Sequence, residues 1–239
     1  MICIIHPSRG RPEKSVQTIQ KWIPYDCQVI VSLDQDDPTL DKYLELYPDY
    51  FTLAPTAHYR IIVNQNRSAV DAINKAAELS LAFGDWMIVV SDDSEPCESW
   101  PDKVYQATWQ KRDWILKTQD GIQPWIITMP IMDMDYYQRF GYIYHPDYLH
   151  MFCDTELTCV ADLTGRKIES NLLFPHKHYS VTKEKPDAIN KRADATWAQG
   201  EKLFIQRANQ KFGLKPEDIK GKVTSQEYIN WARNKGVRL

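Results

Sequence analysis

The apolar run Trp86-Met87-Ile88-Val89-Val90 stops at Ser91-Asp92-Asp93-Ser94-Glu95 and then Pro96. Adjacent carboxylates repel and resist desolvation unless a cation or hydrogen-bond donors reach them. Two readings compete. Either the pair is a solvated turn capped by Ser91, or it is a seat for a hard divalent cation such as Mg2+ or Mn2+. Such cations take one or two carboxylates and complete their shell with water and substrate phosphate. Farther along, Asp154 and Glu156 stand two apart where a helix begins, a place that attracts carboxylates for capping as well as for chemistry. His176 and His178 alternate as on an extended segment, so both rings point one way. They read as two partly exposed histidines beside Lys177, or as groups close to a metal. Asn66 and Asn74 flank the entry of a helix that Ser68 can cap, with Arg67 between them; a helix entry of this kind can receive an anion.

The elements needed to position these residues follow from hydrophobic spacing. Ile2–Ile5, Cys27–Leu33, Tyr59–Val63 and Trp86–Val90 read as strands. Glu13–Trp22, Thr39–Tyr47 and Ser68–Ala82 have helical spacing. This alternation predicts an α/β fold with parallel strands and helices on the sheet faces. Right-handed crossovers then place the loops Pro7–Arg11, Asp34–Asp37 and Ser91–Glu95 at one sheet edge, where ligands of open α/β sheets bind. Beyond Pro101 the spacing predicts a helix over Val104–Trp114, strands over Trp125–Ile131 and Tyr142–Tyr144, and a helix over Glu156–Ala161. Residues 183–239 predict two or three amphipathic helices wrapped on the main body, which divides the chain into a catalytic unit, 1–182, and a basic extension, 183–239.

The 239 residues, 43% of them hydrophobic and eight of them tryptophan, suffice for a packed core and exclude a disordered chain. The net charge of −3 points to neither nucleic acid nor membrane. It is unevenly spread, with 13 Lys/Arg against 7 Asp/Glu after residue 182. That excess suggests a polyanionic acceptor such as modified DNA, or a glycan, although a charge run is also what a solvated helix face looks like. No leader-like stretch opens the chain and no run approaches the ~20 apolar residues of a membrane span. Five cysteines without CxxC spacing suit reduced thiols, hence a cytoplasmic setting.

Taken in order, the marks "IIHPSRGRP", "VIVSLDQDD", Asn66 and Asn74, "VVSDDSEP", "GYIYHPDY", "MFCDTELTCVADLTGR" and "FPHKHYS" give the chain a resemblance, over roughly residues 1–180, to GT-A glycosyltransferases of the family 2 type. The resemblance implies a mixed, mostly parallel Rossmann-like sheet and an enzyme that transfers a sugar from a UDP- or GDP-linked donor, UDP favoured, with inversion. It implies that Pro7, Ser8 and Arg9 border the nucleotide base, that Asp34 bonds to it, and that Asn66, Arg67 and Asn74 lie on the donor side. Asp92 is then expected at the ribose, Asp93 on a Mn2+ or Mg2+ ion, and His176 or His178 beside that ion. Asp154, with Glu156 as its rival, is expected to deprotonate the acceptor hydroxyl. The chain departs from the family at Ser91, which stands where a strict DxD motif has its first acid. A nucleotidyltransferase is the rival enzyme reading, disfavoured because Gly10 is the only glycine between Pro7 and Pro12, where such enzymes wrap a triphosphate with a glycine-rich run. A non-catalytic nucleotide- or partner-binding module is the third.

Overall fold

The computed structural model describes residues 1–23, 27–51, 57–82 and 84–239. Its first half alternates strand and helix: β1 Ile2–Ser8, α1 Pro12–Trp22, β2 Cys27–Asp34, α2 Leu40–Phe51, β3 Ala57–Asn64, α3 Ala69–Ser80 and β4 Trp86–Val89. The second half adds α4 Trp100–Thr108, β5 Ile115–Gln119, β6 Ile131–Asp133, α5 Met134–Phe140, α6 Cys153–Leu163 and β7 Lys167–Leu173. One seven-stranded sheet results, in the order β3-β2-β1-β4-β6-β5-β7. β1 to β4 pair in parallel, β6 runs antiparallel to both β4 and β5, and β5 is parallel to β7. The sheet is therefore mixed and mostly parallel, as expected.

Side chains of the central strands alternate between two apolar layers, as the pleat requires. Ile4, Val29, Val31 and Ile88 face α1, α2 and α4, meeting Val16, Ile19, Trp22, Tyr43, Tyr47 and Trp100. Cys3, Ile5, Ile30, Met87 and Val89 face the opposite layer, which holds α3 and α6. All eight residues of β2 are buried, and Val29-Ile30-Val31 at its centre supply the apolar run by which that segment reads as a strand.

Beyond β7 come α7 Tyr179–Thr182, α8 Ala188–Asp194, α9 Trp197–Asn209, two 3-10 turns and α10 Gln226–Asn234. Phe204, Ala208, Phe212, Tyr228, Ala232 and Val237 join the core layer of α3 and α6. Among the described residues no disulfide joins any of the five cysteines, and no helix is long and apolar enough to cross a membrane.

Several expected elements are corrected. β1 continues through Pro7 and Ser8, so its loop starts at Arg9. The helix expected to run to Trp114 ends at Thr108, and Ile115–Gln119 is a strand instead. Trp125–Met129 and Tyr142–Tyr144 form no strand; Ile126, Ile127, Met129, Ile143 and Tyr144 are buried by packing alone.

Candidate active site

Register brings the polar strand ends together. Ser8 pairs with Leu33, Asp34 with Asn64, and the amide of Val90 donates to the carbonyl of Ile5 (2.9 Å). At this edge the Asp34 carboxylate accepts from Arg9 Nη1 (2.7 Å) and from Asn66 Nδ2 (2.8 Å). Arg9 also pairs with Asp36, and Lys75 Nζ donates to Asn66 Oδ1 at 3.1 Å. Arg67 is exposed and leans on Asp71 and the carbonyl of Pro146. Asn74 does not face this cluster. Its amide donates to the carbonyl of Tyr144 (2.7 Å) and accepts from the amides of Ile143 and Tyr144, so it pins the loop before α6.

Asp92 and Ser8 turn inward. Asp92 is 8% exposed and both its oxygens accept from Ser8 Oγ (2.9 and 3.1 Å). Ser8 meets Tyr43 Oη at 2.7 Å, and His6 Nε2 lies 3.3 Å from Asp92. These donors satisfy a carboxylate that would otherwise be costly to bury. Arg11 lies above it, 3.9 Å from Asp92, and bonds through Nε to Asp187 (2.7 Å) and through Nη2 to Asn190 (3.2 Å) at the head of α8. His6, Tyr43 and Asp187 were not foreseen. His6 carried a signal, a polar ring within an apolar strand.

Asp93 points the other way. Its Oδ1 lies 3.2 Å from His176 Nε2 and accepts from Ser91 Oγ at 2.7 Å. The pairing is built by the backbone: Ser94 and His176 form an isolated antiparallel bridge, and the amide of Lys177 donates to the carbonyl of Asp93 (2.7 Å). Burial alone would raise the Asp93 carboxyl, but the His176 hydrogen bond and charge hold it well below the usual range. His178 lies one ring away, centroids 5.4 Å apart, and caps α7 by accepting from Ser180 instead of reaching Asp93. Asp120, also unforeseen, adjoins His176: its carbonyl accepts the His176 amide (2.9 Å), while its carboxylate holds the amides of Ile122 and Gln123. Among the described residues no three metal-ligating side chains form a ready-made cluster. The pair on hand, one carboxylate and one imidazole, suits an ion that takes its remaining ligands from water and a diphosphate.

Asp154 and Glu156 separate sharply. Glu156 is 3% exposed, gripped by Arg207 Nε and Nη2 (2.8–3.0 Å) and by Tyr148 Oη (2.8 Å). Glu156 thus anchors the C-terminal helix in this fold, and a carboxylate engaged on both oxygens by a guanidinium is a poor proton acceptor. Asp154 is partly exposed, and only its Oδ1 accepts from Thr155, through N (2.7 Å) and Oγ1 (3.2 Å). Burial raises its carboxyl above the ordinary value, against the Thr155 donors that lower it, and the charge of Asp120 adds to the rise. The turn that delivers Asp154 is unusual, because Phe152 adopts a left-handed backbone with φ of 72°. Such a residue costs about 1–2 kcal/mol outside glycine. Its ring packs on Trp197, Phe204 and Trp231, with centroids 5.1–5.9 Å apart. At roughly 0.5–1.5 kcal/mol per aromatic pair, those contacts outweigh the backbone cost.

No protein-family model and no curated protein matches the chain, but solved structures do. TarS of S. aureus, residues 1–349 in complex with UDP-GlcNAc, superposes with a TM-score of 0.57 at 13% identity, covering 97% of this chain and 78% of that one. The fold is that of the GT-A glycosyltransferases. GalNAc-T7 with UDP, GalNAc and Mn2+ matches with a TM-score of 0.56 at 11% identity, over 100% of this chain and 55% of the other. A further TarS structure matches at 0.55 and 12% identity, and there this chain spans 46% of its neighbour's length. Within this chain the charge of Asp120 bears on both Asp154 and His176.

Proposed function

We propose that the chain transfers a sugar from a nucleoside diphosphate donor, UDP-linked, to an acceptor hydroxyl with inversion. The observation that carries this reading is the Asp93–His176 pair together with a one-sidedly bonded Asp154, the charge of Asp120 bearing on both His176 and Asp154. UDP in the TarS and GalNAc-T7 structures supports the donor class, and Mn2+ in the latter supports a divalent ion. In this chain Asp93 and His176 would hold such an ion, which supplies charge neutralisation for the leaving diphosphate. Arg9, Asp34 and Asn66 form the polar wall that takes the nucleoside. Arg11, bound to Asp187 and Asn190, draws α8 over the loop between β1 and α1.

Asp154 removes the acceptor proton. Its free oxygen can take that proton as the acceptor oxygen attacks the anomeric carbon opposite the nucleotide, through an oxocarbenium-like transition state. A raised carboxyl pKa increases the basicity of the ionised form, which is an advantage in a base. The deciding experiment is a thermal-shift screen of UDP- and GDP-sugars with and without Mn2+, followed by assay of nucleotide release. Asp93→Ala should lose the Mn2+-dependent shift, read against its own melting temperature without Mn2+ because the variant also loses the His176 ion pair. Asp154→Asn should keep the shift and lose turnover by about 100-fold or more. Pyrophosphate release from a nucleoside triphosphate, or binding with no turnover, would overturn the transferase reading.

A further inference from the structure

Residues 196–237 lie outside the stretch that resembles the GT-A glycosyltransferases, yet they hold the turn in front of Asp154. Met151 is gripped at both backbone groups. Its amide donates to Thr196 Oγ1 (3.1 Å), and its carbonyl oxygen lies 2.3 Å from where a Cβ on Gly200 would sit, so α9 passes over it with no room for a side chain. The left-handed Phe152 packs its ring on Trp197, Phe204 and Trp231, all from the same segment. Glu156 is bound by Arg207. The far end of α6 is held too: the carbonyl of Leu163 accepts from Lys220 (2.9 Å) and Gly221 (2.8 Å), and a Cβ on Gly221 would come within 2.0 Å of the Asp162 carbonyl oxygen.

These contacts fall on both sides of Asp154 and leave its carboxylate untouched. α6 has no side-chain cap at its N-terminus, so the entry of the chain into its first turn is set from outside. A strained backbone persists only where its surroundings over-determine it, and such strain clusters where geometry is used. We infer that the C-terminal segment is a positioning device for the proposed transfer, with Arg207, Gly200 and Trp197 setting the height and direction of Asp154. This rests on Asp154 being the base. The titratable groups that bear on Asp154 are Asp120 from the loop after β5, Tyr144 from the loop before α6, its neighbour Cys153 and Tyr228 of α10. Of these only Tyr228 belongs to the C-terminal segment, and neither Arg207 nor Trp197 is among them, so a change at Arg207 or Trp197 reaches Asp154 through its position.

The test uses the full chain with two substitutions. Arg207→Lys keeps a cation opposite Glu156 but loses the two-pronged bond. Trp197→Ala removes a ring that is 55% exposed and so tests the Phe152 contact at small risk to folding. Nucleotide release from the donor identified by thermal shift is measured against substrate and pH, and the Asp154 carboxyl is titrated by carbon-13 NMR. The expected result is kcat reduced about tenfold or more in Arg207→Lys and about threefold in Trp197→Ala, with donor KM within about twofold, because misplacement of the order of 1 Å carries penalties of this size. The acid limb of the kcat profile should move to lower pH as Asp154 gains solvent. A folded variant with wild-type kcat and an unmoved acid limb overturns the inference, as does a loss carried by KM. If Arg207→Lys does not fold, Trp197→Ala decides. If the wild-type chain releases nucleotide from no sugar donor, the transferase reading falls separately. The carboxyl titration then judges the positioning: a signal that moves toward the ordinary range in Trp197→Ala upholds it, and an unmoved signal overturns it.

Discussion

Asp154 is a carboxylate the fold would sooner keep neutral. Burial holds its carboxyl above the ordinary value, and the folded chain binds that proton more tightly than the unfolded chain. Its contribution to stability is therefore complete below the unfolded pKa and is lost as pH rises through the folded one. Asp154→Asn is expected to melt higher than wild type at neutral pH, by about 2–4 °C for each kcal/mol released. The gap should close as the solution is acidified toward the ordinary carboxylate range. Equal melting temperatures at neutral pH would show that Asp154 is not held under strain. Such a gain in stability with a loss of turnover would separate this residue from Glu156, whose removal leaves the Arg207 cation unpaired. At the donor edge, Arg9→Ala frees Asp34 from its guanidinium and should weaken nucleotide-sugar binding about tenfold or more, as read by calorimetry. What the residues disclosed in advance was chemistry without direction. Asp92 and Asp93 are neighbours in sequence, yet one turns into the core on Ser8 and the other out to His176. That choice depends on partners 84 and 83 positions away.

Among the elements, β1, β2 and β4 were legible because each centres on an apolar run closed by a polar loop, and parallel strands buried on both faces leave that mark. β3, exposed at the sheet edge, showed itself through Ile61-Ile62-Val63. The second half hid its strands. β5 carries Lys117, wholly buried beside the Thr118 carbonyl, and a lysine in that place disguises a core strand as surface. β7 stands at a sheet edge with half-exposed polar residues, so no apolar run announces it. Trp125–Met129 had the opposite defect, apolar enough for a strand but packed without a ladder. The close approach of α9 to α6 was invisible as well, because it depends on the absence of a side chain at Gly200. Gly200→Ala is expected to destabilise the chain by about 1–3 kcal/mol, the usual cost of overpacking, and to raise hydrogen exchange at the amides of Asp154 and Thr155. Unchanged exchange there would mean that α9 and α6 can part without effect.

For the molecule as a whole, the Glu156–Arg207 pair joins the sheet's own helix to the C-terminal segment. Breaking a buried pair on one side leaves a charge without a partner, at about 3–5 kcal/mol. Arg207→Met should therefore lower the melting temperature far more than truncation of any exposed ion pair, and the Glu156→Met/Arg207→Met double variant should recover much of the loss. Urea denaturation of the four chains measures the coupling, and additive losses would show that the two residues act independently. The same join has a consequence in time. Strands β1 to β4 and helix α6 leave the ribosome before α9 is made, and at ~5–20 residues per second the nascent chain spends seconds in that state. During that interval it carries a donor edge with an unbraced α6. On the proposed reading, competence arrives only once the later segment has docked, and a stalled or truncated product would keep its donor edge while lacking a braced base to spend a donor.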